Sequence, residues 1–168
     1  EAGVTKMKKN YGFARLVKIL EPSPYRVEPR CPVARQCGGC QLQAMSYEEQ
    51  LRFKEKKIRN NLSRLGGIPA DQIPMEPIMG MENPWRYRNK AQFPFGKNKN
   101  GEIITGFYAG RTHDIIEQED CLLGVEENKE ILEIIRNFMK EYKIEPYDEK
   151  NHSGLVRHAL IRKAFATG

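Results

Sequence analysis

The sequence predicts an α+β fold, a mostly antiparallel sheet with two flanking helices, a cysteine-rich loop at one end and a strand remnant at the N-terminus. Three observations carry that prediction. Two stretches, 46–65 and 126–143, repeat apolar residues at helical spacing. Alternating segments lie between and after them, two of them joined by the turn signal Asn98-Lys-Asn-Gly101. All four cysteines form one set, Cys31-Pro-Val-Ala-Arg-Gln-Cys37-Gly-Gly-Cys40 and the distant Cys121.

Val4–Met7 and Tyr11–Leu20 come first, with strand-like and mixed apolar patterns. Two short strands cannot bury a face of their own, so residues 1–30 read as the end of another unit. Glu21–Arg30 is rich in proline, which disfavours helix and sheet alike, and it serves as a connector. A helix then opens at Ser46, which with Glu49 makes a capping box, each side chain satisfying the other residue's free backbone amide. Tyr47, Leu51, Ile58, Leu62 and Leu65 hold helical spacing, and Gly66-Gly67 provides the stop. The outward face carries Arg52, Lys54, Lys56, Lys57, Arg59 and Arg64 against Glu55. Such a face is either simply solvated or approaches phosphate, since clustered like charges cost stability unless a partner offsets them.

Residues 68–84 read as loop. Trp85–Lys97, Glu102–Tyr108 and Thr112–Gln118 read as successive strands. The second helix, over 126–143, places Ile131, Ile135, Phe138 and Tyr142 on one stripe, expected to be core. Leu155–Ala166 alternates as a last strand.

The 168 residues suffice for one ordinary domain or a modest domain with an appended piece. A composition 39% hydrophobic and 30% charged fits a folded, soluble chain. The net charge of +6 favours an acidic partner, RNA or DNA first, over a merely solvated basic surface. No signal peptide or membrane-length apolar run is present, so no membrane partner is expected, and reduced, metal-type cysteine usage points to the cytoplasm.

The spacing C-x5-C-x2-C with a remote fourth cysteine supplies the thiolates of a cubane 4Fe–4S cluster. Gly38 and Gly39 let the backbone fold around a bulky core and point amides at its sulfurs. Structural zinc is the runner-up, although its cysteine pairs usually stand two to four residues apart. Two disulfides suit small secreted proteins, and four unrelated buried thiols leave the clustering unexplained. The first role of such a centre is structural, closing a long loop, and electron transfer is the sharper alternative.

Arg86, Arg88 and Lys90 alternate along the predicted strand and so share a face, with Asn89 between them. Three cations facing one way suit a phosphate backbone or a flipped-out nucleotide. Trp85 and Phe93 are candidates for stacking on bases, the plainer reading being that Trp85 is core and the cations are solvated. Phe107, Tyr108 and Arg111 form a second, weaker patch. His113, His152 and His158 read as structural or surface residues.

Taken together, several segments resemble the 5-methyluridine RNA methyltransferases of the RumA/TrmA type. They are Leu20–Cys31, Cys37-Gly-Gly-Cys-Gln-Leu-Gln43, Tyr47–Lys57, Asn83-Pro-Trp-Arg-Tyr-Arg-Asn-Lys-Ala-Gln-Phe93, Gly106-Phe-Tyr, His113-Asp-Ile-Ile and Arg157–Gly168. The resemblance runs over nearly the whole chain in the family's order. It implies that residues 1–30 end a TRAM domain, a small OB-like RNA-binding barrel, and that 31–168 form a central iron–sulfur RNA-recognition domain. The cysteines favour the ribosomal-RNA branch, whose members carry a 4Fe–4S cluster.

One departure from the family is large. Methyl transfer from S-adenosylmethionine needs a glycine-rich turn after a strand, and none occurs here. It also needs a free cysteine to attack C6 of uracil, and all four are assigned to the cluster. In the family these elements lie downstream of where this chain ends. The resemblance thus implies a segment, inactive alone, of a transferase whose partners are RNA and its own catalytic domain. The rival expectation is a stand-alone iron–sulfur or zinc module that binds nucleic acid or carries electrons.

Overall fold

The computed structural model describes residues 1–167; Gly168, the last residue of the family-like stretch, lies outside the described residues. Alternation in the first segments produces a hairpin of β1 (Ala2–Met7) and β2 (Gly12–Leu16), with an irregularity between Val4 and Lys6. Val4, Phe13 and Leu16 stay exposed, as a two-stranded ribbon without a second layer must leave them.

Past the connector, α1 (Tyr47–Arg64) starts where Ser46 Oγ accepts the Glu49 amide at 3.4 Å. Only half of the capping box forms. The Ser46 amide donates to the Tyr25 carbonyl at 2.8 Å, and the Glu49 carboxylate instead receives Arg52 Nε at 2.6 Å. Gly67, with φ of 69°, supplies the left-handed step that ends the helix. The apolar stripe is covered only at its start. Tyr47 Oη accepts the Met81 amide at 2.7 Å and Leu51 lies against Gly80, whereas Ile58, Leu62 and Leu65 are exposed. The following loop holds a single 3-10 turn at Ala70–Gln72.

The main sheet contains β3 (Lys90–Lys97), β4 (Ile103–Tyr108), β5 (Ile115–Glu117) and β6 (His158–Arg162), all antiparallel, in the order β5-β4-β3-β6. β3 divides its pairing: residues 90–94 face β6 and 95–97 face β4. The division falls at Pro94, which has no amide to extend the β4 ladder, and the Thr105 hydroxyl donates to its carbonyl at 2.9 Å instead. The predicted turn is present: Asn98 Oδ1 accepts the amides of Asn100 and Glu102, and Gly101 takes φ of 81°. Gly106 lets β5 lie close, since a Cβ there would stand 2.0 Å from the Ile116 carbonyl oxygen.

α2 (Glu127–Glu141) closes the core. Ala91, Phe93 and Phe95 from β3, Ala159 from β6, and Leu132 and Met139 from α2 form it, with Phe107 and Ile135 packed alongside. The stripe expected on this helix is corrected by one position. Ile131 and Ile135 are half-buried, but Phe138 and Tyr142 are exposed and pack against each other, tilted, at 4.5 Å. The helix is apolar on more than one face, so spacing alone could not choose between the stripes.

The strand expected over Trp85–Lys97 begins only at Lys90. Residues 85–89 leave the sheet because the Arg86 and Arg88 amides donate to the Leu122 and Leu123 carbonyls, each at 2.9 Å. Arg86, Arg88 and Lys90 therefore do not line one strand face. No helix among the described residues is long and apolar enough to cross a membrane.

Candidate nucleic-acid interface and cysteine site

The cysteine loop is shaped by local turns and by the rim of the sheet. The Cys37 amide donates to the Val33 carbonyl at 2.9 Å, the Gly38 amide donates to Tyr108 at 2.9 Å, and Cys37 bridges to Ala109. Gly38 eases this approach, because a Cβ would crowd the Tyr108 oxygen at 3.0 Å and the Gly110 backbone at 3.1 Å. Gln118 Nε2 donates both to Cys31 Sγ at 3.4 Å and to the Asp120 carbonyl at 2.8 Å, which links Cys31 to the loop that carries Cys121. The Gly39 amide donates to Cys37 Sγ at 3.4 Å, the kind of contact that stabilises a sulfur bearing negative charge.

All four thiols are free, with Cys31 buried and the other three half-buried. Burial pushes the Cys37 thiol up, its bond to Gly39 opposes that, and Cys40, Cys121 and Cys31 add to the rise. The other three cysteines therefore lie within electrostatic reach of Cys37. Among the described residues, no three His, Cys, Asp or Glu side chains are grouped tightly enough to hold one metal ion.

Arg86 has a different role from the one its sequence context predicts. Its guanidinium donates to both Asp120 oxygens at 2.5 and 2.7 Å and to the carbonyls of Cys121 and Gly124 at 3.0 and 3.2 Å. Those bonds hold the Arg86 cation above its ordinary value and Asp120 below the usual carboxylate range. Arg86 is thus a clamp on the Cys121 loop, and its φ of 56° is a left-handed value that few side-chain-bearing residues adopt. An acidic partner 34 residues downstream left no mark in the local pattern.

Between the connector, the cysteine loop and the start of α1 lies an open cavity of about 820 Å³. Trp85, Tyr87, Arg88, Arg30, Lys54 and Cys40 are among its walls. The Arg30 guanidinium sits 4.8 Å from the Trp85 ring centroid, a cation–π distance. Lys54 belongs to the basic helix face marked in the sequence, whereas Arg30 and Tyr87 carry no such mark beyond their nearness to the cysteine run and to Trp85.

The remaining predicted contacts divide. Phe93 is 1% exposed and tilts against Phe107 at 5.0 Å, so Phe93 is core and cannot stack on a base, and Phe107 packs beside it. Asn89 and Lys90 are exposed, with the Asn89 carbonyl taken by the Lys163 amide at 2.8 Å. Lys57 is exposed on α1. Arg111 is exposed in a left-handed turn with φ of 66°. Tyr108 beside it is engaged by histidines, stacked on His113 at 5.0 Å and 3.4 Å from His158 Nε2. His113 in turn meets Glu149 at 2.7 Å, and Arg157 holds the other oxygen of that carboxylate.

The fold matches part of an RNA-modifying enzyme. A solved structure, the Pyrococcus abyssi tRNA (uracil-54, C5)-methyltransferase in complex with S-adenosyl-L-homocysteine, superposes with a TM-score of 0.68 at 26% identity, over 98% of this chain and 35% of that one. No family model matches the chain. Proteins described as uncharacterized RNA methyltransferases match it more closely in sequence. The one from Clostridium tetani is 46% identical over 168 residues, and the one from Halalkalibacterium halodurans is likewise 46% identical; each match covers 100% of this chain and 36% of the relative. The protein from Listeria innocua is 44% identical over 99% of the chain and 36% of its own length. The chain is homologous, along its whole length, to a segment of these RNA methyltransferases, and spans about a third of them.

Proposed function

We propose that this chain is the RNA-recognition segment of an S-adenosylmethionine-dependent RNA uracil-C5 methyltransferase, with Cys31, Cys37, Cys40 and Cys121 as ligands of a 4Fe–4S cluster. The observation that carries the reading is the correspondence of 98% of the chain with part of a uracil-C5 methyltransferase bound to the demethylated form of that methyl donor. On this reading residues 1–30 end a TRAM-like domain, 31–168 form the central domain, and the whole works in the cytoplasm. The exposed apolar side chains of the β1–β2 hairpin support the first assignment.

The segment has no catalytic residue of its own. Carbon C5 of uracil becomes nucleophilic when a thiolate adds to C6, and a base must later remove the C5 proton. A thiolate coordinated to metal is unavailable for that addition. Methyl transfer is therefore assigned to chain outside these residues.

The preference for a cluster over a single zinc ion rests on the spacing C-x5-C-x2-C with a remote fourth cysteine, since zinc pairs usually stand two to four residues apart, and on four thiols left free of disulfides. Once bound, the cluster supplies a rigid cross-link. The amides of Gly39 and Gln118 already point at Cys37 and Cys31, and Arg86 fixes the backbone on either side of Cys121.

Ribosomal RNA is the substrate that the cysteine set favours, and the structural relative acts on tRNA, so the test presents both. A protein carrying this stretch at the length of its relatives is incubated with methyl-labelled S-adenosylmethionine and each RNA. It should deposit 5-methyluridine in ribosomal RNA, and the 168-residue chain alone should deposit none. Label in a different nucleoside, or transfer by the short chain, overturns the assignment.

A further inference from the structure

The structure assigns the cavity beside the cysteine loop to one unpaired RNA nucleotide, its base against Trp85 and its phosphate on the cations of the wall. The inference rests on the RNA-recognition reading above and adds where, and in what form, the RNA is held. The volume of about 820 Å³ falls within the range of roughly 300–1,000 Å³ typical of small-ligand sites. It is far too small for a duplex, and unpaired nucleotides are the form in which aromatic side chains take up RNA bases.

The chemistry of the walls matches both halves of a nucleotide. Trp85, Tyr87 and Tyr47 supply ring faces. Arg30, Lys54 and Arg88 supply positive charge, and none of them takes part in an ion pair among the described residues. Glu28 and Glu48 also line the cavity, leaving three cations to two carboxylates. Two amides complete the set. Gln43 spends its oxygen on the Cys31 amide at 3.3 Å, which leaves its NH2 group to donate. Gln50 spends its NH2 on the Leu42 and Met45 carbonyls at 3.1 and 2.9 Å, which leaves its oxygen to accept. A free donor and a free acceptor among the lining residues are what the edge of a base requires.

The site is also preformed. Asn83 Oδ1 accepts the Trp85 amide at 3.2 Å, and Arg86, locked to the Cys121 loop, anchors the backbone between Trp85 and Tyr87. Arg88 is tied to Leu123 through its backbone, which leaves its guanidinium available.

Trp85 is the single tryptophan of the chain, so its fluorescence reports the site directly. The test titrates the 168-residue protein with uridine hexamer, adenosine hexamer and a blunt RNA duplex, following tryptophan emission together with the anisotropy of end-labelled RNA. Saturable quenching by the hexamers and none by the duplex is expected. Trp85→Ala should weaken hexamer binding about 5- to 150-fold, and Trp85→Phe, which keeps a stacking face, by no more than about threefold. Arg88→Ala, which leaves the backbone ties intact, should reduce the salt slope of binding by about one. Hexamer binding with unchanged Trp85 emission, insensitive to Arg88→Ala, overturns the site and spares the RNA reading. Equal quenching by the duplex also overturns it. Failure of every RNA to bind at low salt overturns both.

Discussion

Replacing Arg86 separates a structural clamp from a phosphate contact. Two of its bonds go to Asp120, whose side chain is 41% exposed, and solvent screening holds that pair to about 1 kcal/mol. The bonds to the Cys121 and Gly124 carbonyls contribute about 1 kcal/mol each. Arg86→Ala should therefore cost about 3 kcal/mol of folding stability. Arg86→Gly deletes the same bonds but relieves the left-handed backbone at φ of 56°. That relief is worth about 1–2 kcal/mol, less the roughly 0.5–1 kcal/mol of extra chain entropy a glycine loses on folding. The glycine variant should thus be the more stable, by up to about 1.5 kcal/mol. Guanidinium unfolding of the three proteins measures both differences. If alanine leaves the midpoint unchanged while RNA affinity collapses, Arg86 is a phosphate contact and the clamp reasoning is wrong; a glycine variant weaker than alanine refutes the backbone argument.

Two further outcomes are expected. Protein purified without oxygen should be brown and hold iron and sulfide in equal amounts, and Cys121→Ser should lose the colour; zinc without iron rejects the cluster. Burial holds His158 below the ordinary histidine value, with the Arg157 charge acting in the same direction and Glu149 against it. The unfolded chain therefore takes up this proton first, so the contribution of His158 to stability is complete above about pH 6.5 and is lost as pH falls through the folded value. A ring titration by NMR with its midpoint at or above that of free histidine contradicts this.

Local signals in the sequence were read correctly where local forces decide. The Ser46 cap, the Asn98–Gly101 turn and both helices have causes within a few residues of themselves. Position 93 was misread although its signal was available, because Ala91, Phe93 and Phe95 alternate as a buried strand face must. Arg86 and Arg88 do not share the strand face that their alternation predicts, because their backbone amides are taken by 122–123 and the Arg86 side chain by 120–124, tertiary hydrogen bonds that outweigh the alternation. The spacing on α1 was helical as expected, yet it does not say how much of a stripe will be covered. Ile58, Leu62 and Leu65 stay exposed because nothing among the described residues packs over them. The cavity was not legible at all, since its walls come from four separated stretches of chain.

The contact between Cys31 and Gln118 spans 87 residues of sequence, and Cys37 is held by the end of β4, at Ala109, also far downstream. Contacts of that span form late, after the costly closure of a long loop. During synthesis three thiols leave the ribosome well before the fourth, and the sheet rim that shapes them, Tyr108 to Gln118, emerges only just ahead of Cys121. The loop that carries Cys31, Cys37 and Cys40 therefore takes its final shape only once the distant strand end and Gln118 are in place, and a nascent chain halted short of β5 lacks the Gln118 contact to Cys31.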